Sequence, residues 1–314
     1  RASEKLGNGM SEQLRGHGAM LLFSMLVAGS FSLGAMAAPS VDPEFVTVLR
    51  FAIAAVILAC MCALRRELKR ENFVALWRYG VLGAVFAAYF VLMFAGLKTA
   101  PPVSAAAVFT LTPIVTALAS FVILRQITTK RIAGALLIGA CGALWVIFRA
   151  DWSALLAFRV GSGEVIYFWG CVCHAIYIPL VRLLNRGESA MLFSLGTTCG
   201  GTLVLLFWSA NSLVSTDYAA LPSIVWITIL YVAIFATATT FVLTQYASLR
   251  LPGAKVMAYT YLTPTWVILW EIALGHGAPH GLILGGIALT VLALVVLLKH
   301  EETGGRDGRL SKAD

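Results

Sequence analysis

Long apolar runs separated by short polar loops dominate the pattern of this chain. Ten runs approach the roughly 20 mostly apolar residues of a membrane-crossing helix: 18–38, 44–64, 76–97, 102–124, 131–149, 163–184, 189–209, 222–247, 252–274 and 280–299. Prolines 39, 43, 101, 102, 222, 252 and 279 stand at their boundaries, where a fixed φ and a missing N–H start or stop a helix. Every second loop, counted from the N-terminal stretch, is basic, and together these loops hold 19 of the 23 Lys and Arg residues. The other loops hold only Lys98, Arg149 and Arg159, and Arg50 lies inside a run. Basic loops face the cytoplasm. Both termini are therefore expected there, which requires an even number of spans.

The pattern repeats. Pro101 aligns on Pro252, Ala107 on Ala258, Leu111-Thr112-Pro113 on Leu262-Thr263-Pro264, Leu118 on Leu269 and Gly134 on Gly285, always 151 residues apart. Each half then carries five spans, an odd number, so the second half enters the membrane inverted. Two inverted repeats form a transporter architecture with its site near the midplane. The expected fold is an all-α membrane protein of ten transmembrane helices in two inverted five-helix repeats, with N- and C-termini inside. A proline within a span frees a backbone carbonyl that lipid cannot satisfy. Pro113 and Pro264 are accordingly expected to kink their helices toward protein or a water-filled cavity, although either alone would also suit a simple packing kink.

Composition agrees. Hydrophobic residues make up 60% of the chain and charged ones 12%, about half the charge of ordinary soluble domains, and mean hydropathy is +0.87. The net charge of +8 sits in topological loops, which excludes nucleic acid as a partner. Residues 1–9 read as an added remnant ahead of a native start at Met10, and 300–314, polar and glycine-rich, as a disordered cytoplasmic tail. The first run lacks a small-residue cleavage site and reads as a retained span. The six cysteines all fall within runs, without metal spacing, and read as packing residues.

Charge inside a span is costly and usually paired or functional. Arg50 and Glu271 lie at similar depths from the external side. They would form a gating pair across the halves, reach the headgroups separately, or leave Glu271 as a proton-coupling carboxylate. His174, about eleven residues into its span, would be a hydrogen-bonded core group or a substrate or proton contact. Tyr177, Tyr89, Thr112, Tyr259 and Thr263 surround the same depth, and Trp169 and Trp266 would stack on a ring-bearing solute. Serines and threonines also bond back to their own helix or join helix pairs. Trp77, Trp152, Trp208 and Trp226 sit at span ends as interfacial anchors.

The stretch Trp169-Gly170-Cys171-Val172-Cys173-His174-Ala175-Ile176-Tyr177, and Tyr231 to Leu298 with Ala258, Leu262-Thr263-Pro264 and Gly285-Gly286, resemble the drug/metabolite transporter superfamily, specifically its ten-helix exporters with duplicated EamA domains. The resemblance covers roughly Met20 to Leu298. It implies a first repeat over 10–149, an external linker at 150–162 and a second repeat over 163–299. It also implies a central cavity lined by helices 1, 3, 4, 6, 8 and 9, and alternating access by rocking of the halves. Many bacterial members resemble inner-membrane exporters of amino acids and related metabolites, aromatic ones included. The family often ends helices 4 and 9 in Leu-Gly-Glu. Here Leu124-Arg125 and Gly275-His276 stand at those places, so no role of those acids carries over.

The expected function is secondary transport, exporting amino acids or related metabolites from a monomer in the bacterial inner membrane, without cofactor or metal. No phosphate-binding Gly-x-x-x-x-Gly-Lys-Ser/Thr loop is present to use ATP. A nucleotide-sugar or phosphorylated-metabolite carrier would need more cations than Arg50, Lys98 and Lys255. An intramembrane enzyme would need a nucleophile–base set or metal ligands, and no His-Glu-x-x-His or Gly-x-Ser-x-Gly occurs.

Overall fold

A computed structural model describes residues 2–68, 74–156, 159–215, 217–248 and 258–310. Among these residues every regular element is helical, and eight helices are long and apolar enough to cross a membrane. In chain order the elements are α1 (Ala2–Ala37), α2 (Pro43–Leu64), α3 (Trp77–Leu97), α4 (Pro102–Phe109), α5 (Thr112–Leu124), α6 (Lys130–Ile147), α7 (Trp152–Leu156), α8 (Ser162–Leu184), α9 (Ala190–Trp208) and α10 (Ala210–Ser215). Then follow α11 (Ser223–Ala233), a π-helical segment (Ile234–Thr239), α12 (Thr240–Ser248), a 3-10 turn (Tyr259–Leu262), α13 (Thr263–Ala273) and α14 (Ile283–Leu310). Pro252 and Lys255 lie outside the described residues, as does the start of the run expected over 252–274. Only Ile283–Leu298 of α14 is an apolar helix, shorter than the other spans.

Local chemistry sets the helix ends. Pro43 and Pro102 occupy the first turns of α2 and α4, where a missing N–H costs nothing. Thr129 and Ser189 cap α6 and α9 by accepting from the N–H groups of Ile132 and Leu192. Helix α14 runs on to Leu310. The expected external linker contains the short α7.

The twin Leu-Thr-Pro elements break their helices in the same way. Between α4 and α5 the chain passes Thr110-Leu111 with Leu111 at φ −78°, ψ −17°. At the end of the 3-10 turn Leu262 leads directly into α13 at φ −82°, ψ −13°. In both cases the proline falls in the first turn of the following helix, so its absent N–H coincides with an interruption rather than with a strained interior. The interruption is local: the backbone stays in the right-handed helical region, and Pro102–Leu124 remains one span.

Helix α3 lies at the centre and packs on both α8 and α9, while α1 packs on α11, α12 and α13. The pairings of the two halves correspond: α3 with α8 mirrors α1 with α11 and α12, and α4–α5 with α8 mirrors the 3-10 turn and α13 with α1. Helices α2 with α9, and α6 with α14, pair span with equivalent span. Close approach of backbones makes this possible. A Cβ on Gly83 would fall 2.1 Å from the backbone nitrogen of Gly201, so only a small-residue seam lets α3 and α9 meet.

Candidate functional site

A half-open cavity of about 180 Å³ lies among α1, α2, α3, α4, α8, the π segment, α12 and the 3-10 turn. Helix periodicity builds its walls. Phe86, Tyr89, Phe90 and Met93 follow i, i+3, i+4, i+7 spacing on α3, and His174, Tyr177 and Ile178 follow i, i+3, i+4 on α8. Such residues share one helix face. Phe109 closes the end of α4, and Ser30, Thr240, Thr244 and Thr260 contribute hydroxyls. Ser30 and Thr240 donate to carbonyls of their own helices, Val27 and Thr237.

The rings interlock. Phe86 stacks on Tyr177 at 4.5 Å between centroids and on Phe241 at 5.8 Å. His174 lies 4.7 Å from the Tyr89 ring and 5.8 Å from that of Phe109. Its Nδ1 is shut off from solvent and has no hydrogen-bond partner among the described residues. The Tyr89 hydroxyl is 3.3 Å from that of Tyr167.

Arg50 enters from α2 and is 1% exposed. Its Nε donates to Thr237 Oγ1 at 2.6 Å and its Nη2 to the Ala236 carbonyl at 2.9 Å. The guanidinium carbon sits 3.5 Å from the centre of the Phe90 ring. Nη1 has no partner among the described residues. The π segment supplies the acceptors. A wide turn leaves carbonyls out of the regular i−4 ladder, and Thr237 and Thr239 donate to carbonyls five residues back.

Four of the residues singled out from sequence therefore meet at the cavity: Arg50, Tyr89, His174 and Tyr177. The others do not line it. Thr112 and Thr263 are fully buried beside their prolines. Tyr259 hydrogen-bonds His17 Nδ1 at 2.8 Å, and its neighbour Thr260 faces the cavity instead. Trp266 ties α13 to α1 by donating from Nε1 to Ser24 Oγ at 2.9 Å. Trp169 is 59% exposed: five residues before His174, it lies about 140° around α8 from the cavity face. The structure forms no Arg50–Glu271 pair. Arg50 is held by the π segment, and Glu271 Oε2 lies 3.0 Å from His276 Nδ1, beyond the end of α13.

Two further features escaped sequence reading. Ile178 lines both the cavity and a more open depression of about 320 Å³ that also touches Pro113, Ser120, Gln126 and Arg182. It is shared by the two linings. Arg78, counted in the sequence only as a loop charge, is buried and clamps the start of α3 to the α8–α9 turn. Its Nη2 reaches Glu188 Oε1 at 2.6 Å, and its guanidinium also donates to the carbonyls of Leu184 and Val74. Burial pushes the Glu188 carboxyl up, but hydrogen bonds from Arg78 and the Arg186 N–H outweigh it and bring the group to about 2. Glu164, at the start of α8, is also buried and accepts from Ser104 Oγ at 2.8 Å.

Comparison with known proteins accords with this arrangement. The EamA-like transporter family matches residues 14–148 and again 161–299. The uncharacterized transporter YyaM of Bacillus subtilis (strain 168) is 24% identical over 260 residues, 82% of this chain and 85% of that protein. The uncharacterized transporter YetK of the same organism is 24% identical over 197 residues, 58% of this chain and 57% of that protein. A solved crystal structure superposes with a TM-score of 0.61 at 20% identity, covering 92% of this chain and 97% of its own, and so shares the fold.

Proposed function

This chain belongs to the EamA-like transporter family, and we propose that it is a secondary transporter that exports small organic metabolites, foremost amino acids including aromatic ones. In this reading ten helices form two inverted five-helix repeats with both termini in the cytoplasm of a bacterial inner membrane, and the halves rock about the central cavity. The twin Leu-Thr-Pro breaks, the mirrored helix pairings and the family's two matched stretches support the repeat. The distribution of Lys and Arg supports the orientation. Single-chain action as a monomer, and transport rather than catalysis, complete the proposal.

The observation that carries it is the cavity itself: a space walled by aromatic rings and lined by Arg50 and His174, whose Nη1 and Nδ1 have no partner among the described residues. Buried polar atoms are normally satisfied, so two orphans in one apolar cavity mark a place where a solute belongs. At about 180 Å³ it is smaller than the roughly 300 Å³ of common ligand pockets. The solute is small, or the walls part around it, as alternating access requires. Ile178, shared by the cavity and the depression beside Pro113 and Arg182, is then the gate toward the basic, cytoplasmic side.

The test is counterflow in proteoliposomes preloaded with unlabelled amino acids, following labelled phenylalanine or threonine with and without a pH gradient. Saturable exchange is expected, and its dependence on the gradient decides between proton coupling and facilitated diffusion. Absence of exchange with every amino acid, in folded protein, would sink the substrate assignment.

A further inference from the structure

We infer that Arg50 is a carboxylate anchor, and that the solute class is an organic monocarboxylate with an apolar or aromatic body whose amino group, where present, is dispensable. This rests on the reading of the central cavity as the solute site.

The argument is one of unbalanced charge. Arg50 is a buried cation whose two hydrogen-bonded partners, the Thr237 hydroxyl and the Ala236 carbonyl, are neutral. Among the described residues no Asp or Glu lines the cavity. The buried or half-buried carboxylates nearest in kind are engaged elsewhere: Glu164 with Ser104, Glu188 with Arg78, Glu271 with His276. A cation held away from water without a counter-charge is costly. The structure nevertheless fixes this one rigidly, with Nε and Nη2 tied to the π segment and the guanidinium face laid on Phe90. Two of the five N–H donors are engaged, and Nη1 has no partner among the described residues; the planar fork suits a carboxylate oxygen. A carboxylate placed there supplies the missing negative charge and the missing acceptor together.

The rest of the cavity sets the remainder of the class. Phe86, Tyr89, Phe109, Tyr177 and Phe241 offer ring faces for an apolar body. With one cation in the lining, a dianionic phosphate would carry an uncompensated charge into the bilayer. An amine without a carboxylate would bring a second positive charge beside Arg50 and lose on both counts. An ammonium group meets no carboxylate among the described residues of the lining, only neutral hydroxyls such as Thr240 and Thr244, the His174 ring and aromatic faces.

Four ligands of similar size separate these contributions: 3-phenylpropionate, L-phenylalanine, 2-phenylethylamine and 2-phenylethanol. Each is added to the purified wild-type protein while its thermal unfolding is followed. The two carboxylates are expected to raise Tm and the amine and alcohol to leave it unchanged. Arg50→Lys, which keeps the charge but loses the fork, is expected to weaken 3-phenylpropionate binding about tenfold or more. Should that variant fail to fold, the wild-type ligand series alone decides. Stabilisation by the amine or the alcohol equal to that by the carboxylates overturns the inference. So does stabilisation by phenylalanine but not by phenylpropionate, which would make the ammonium the recognised group. No shift with any of the four, in protein that performs saturable counterflow of another solute, overturns the carboxylate anchor while leaving the transport reading intact. Protein that performs no counterflow of any solute fails the transport reading instead.

Discussion

The seam between α3 and α9 makes the sharpest prediction about the fold. In Gly83→Ala the new Cβ would meet the Gly201 nitrogen at 2.1 Å and the Gly200 carbonyl carbon and Gly201 Cα at 2.7 Å. All three are main-chain atoms, so no side chain can rotate out of the way. Restoring the 3.4 Å of ordinary contact requires the helices to part by about 1.3 Å. Overpacking of a close-packed interior costs about 1–3 kcal/mol, and a rigid obstacle puts this case at the upper end. For a chain of 314 residues that corresponds to a Tm lowered by about 4–5 °C. Gly80→Ala is the control: it lies one turn earlier on α3 with nothing within 4 Å of the added carbon. Alanine there gains about 0.8–1 kcal/mol of helix propensity over glycine, so its Tm should be unchanged or higher. Tryptophan-fluorescence melting in detergent reads both. The reasoning fails if the two variants melt together. Because Phe86, which stacks on Tyr177 across the cavity, lies only three residues beyond Gly83, Gly83→Ala should also weaken solute binding.

Other consequences follow from the same contacts. The Glu188 carboxyl titrates in the folded protein at about 2, below its ordinary 4.5, so the clamp stabilises above pH 4.5 and its contribution is lost as pH falls toward 2. Glu188→Gln should flatten Tm across that window, and an acid profile identical to wild type would refute the assignment. Arg78→Ala should cost about 3 kcal/mol, the lower end for breaking a buried pair, read by denaturation in detergent. Pro264→Ala should let α13 run back toward the 3-10 turn, slowing counterflow several-fold while moving Tm by less than about 3 °C, since a first-turn proline contributes little to stability. Trp169→Leu should leave the KM for transport unchanged, whereas His174→Leu should raise it.

Much of the scaffold was legible because hydropathy and proline placement act locally. Runs expected over 44–64, 76–97 and 163–184 are the helices Pro43–Leu64, Trp77–Leu97 and Ser162–Leu184. The π segment was not legible. Ala236-Thr237-Ala238-Thr239 is as apolar and helix-compatible as its surroundings, and only the shift of hydrogen-bond register reveals it. At the site, depth was readable but rotation was not. Trp169 and His174 lie in one span yet face different directions, and Tyr259 and Thr260, adjacent in sequence, divide between His17 and the cavity. The i, i+3, i+4 spacing of Phe86, Tyr89 and Phe90 was a usable signal, but the same stripe describes any packed helix face. Arg78 and Arg50 show the converse limit. Charge counting places both, and neither partner, Glu188 nor Ala236, follows from spacing.

Whether solute passes through the cavity is tested most directly by blocking it. Thr244 lines the space from α12, and the exposed native thiols Cys60, Cys141 and Cys199 can be replaced by alanine. In that background Thr244→Cys is treated with a small thiol reagent, and counterflow is measured with and without phenylalanine present during labelling. Modification should abolish counterflow and phenylalanine should protect against it. Fully modified protein that still exchanges solute at the unmodified rate would contradict the account.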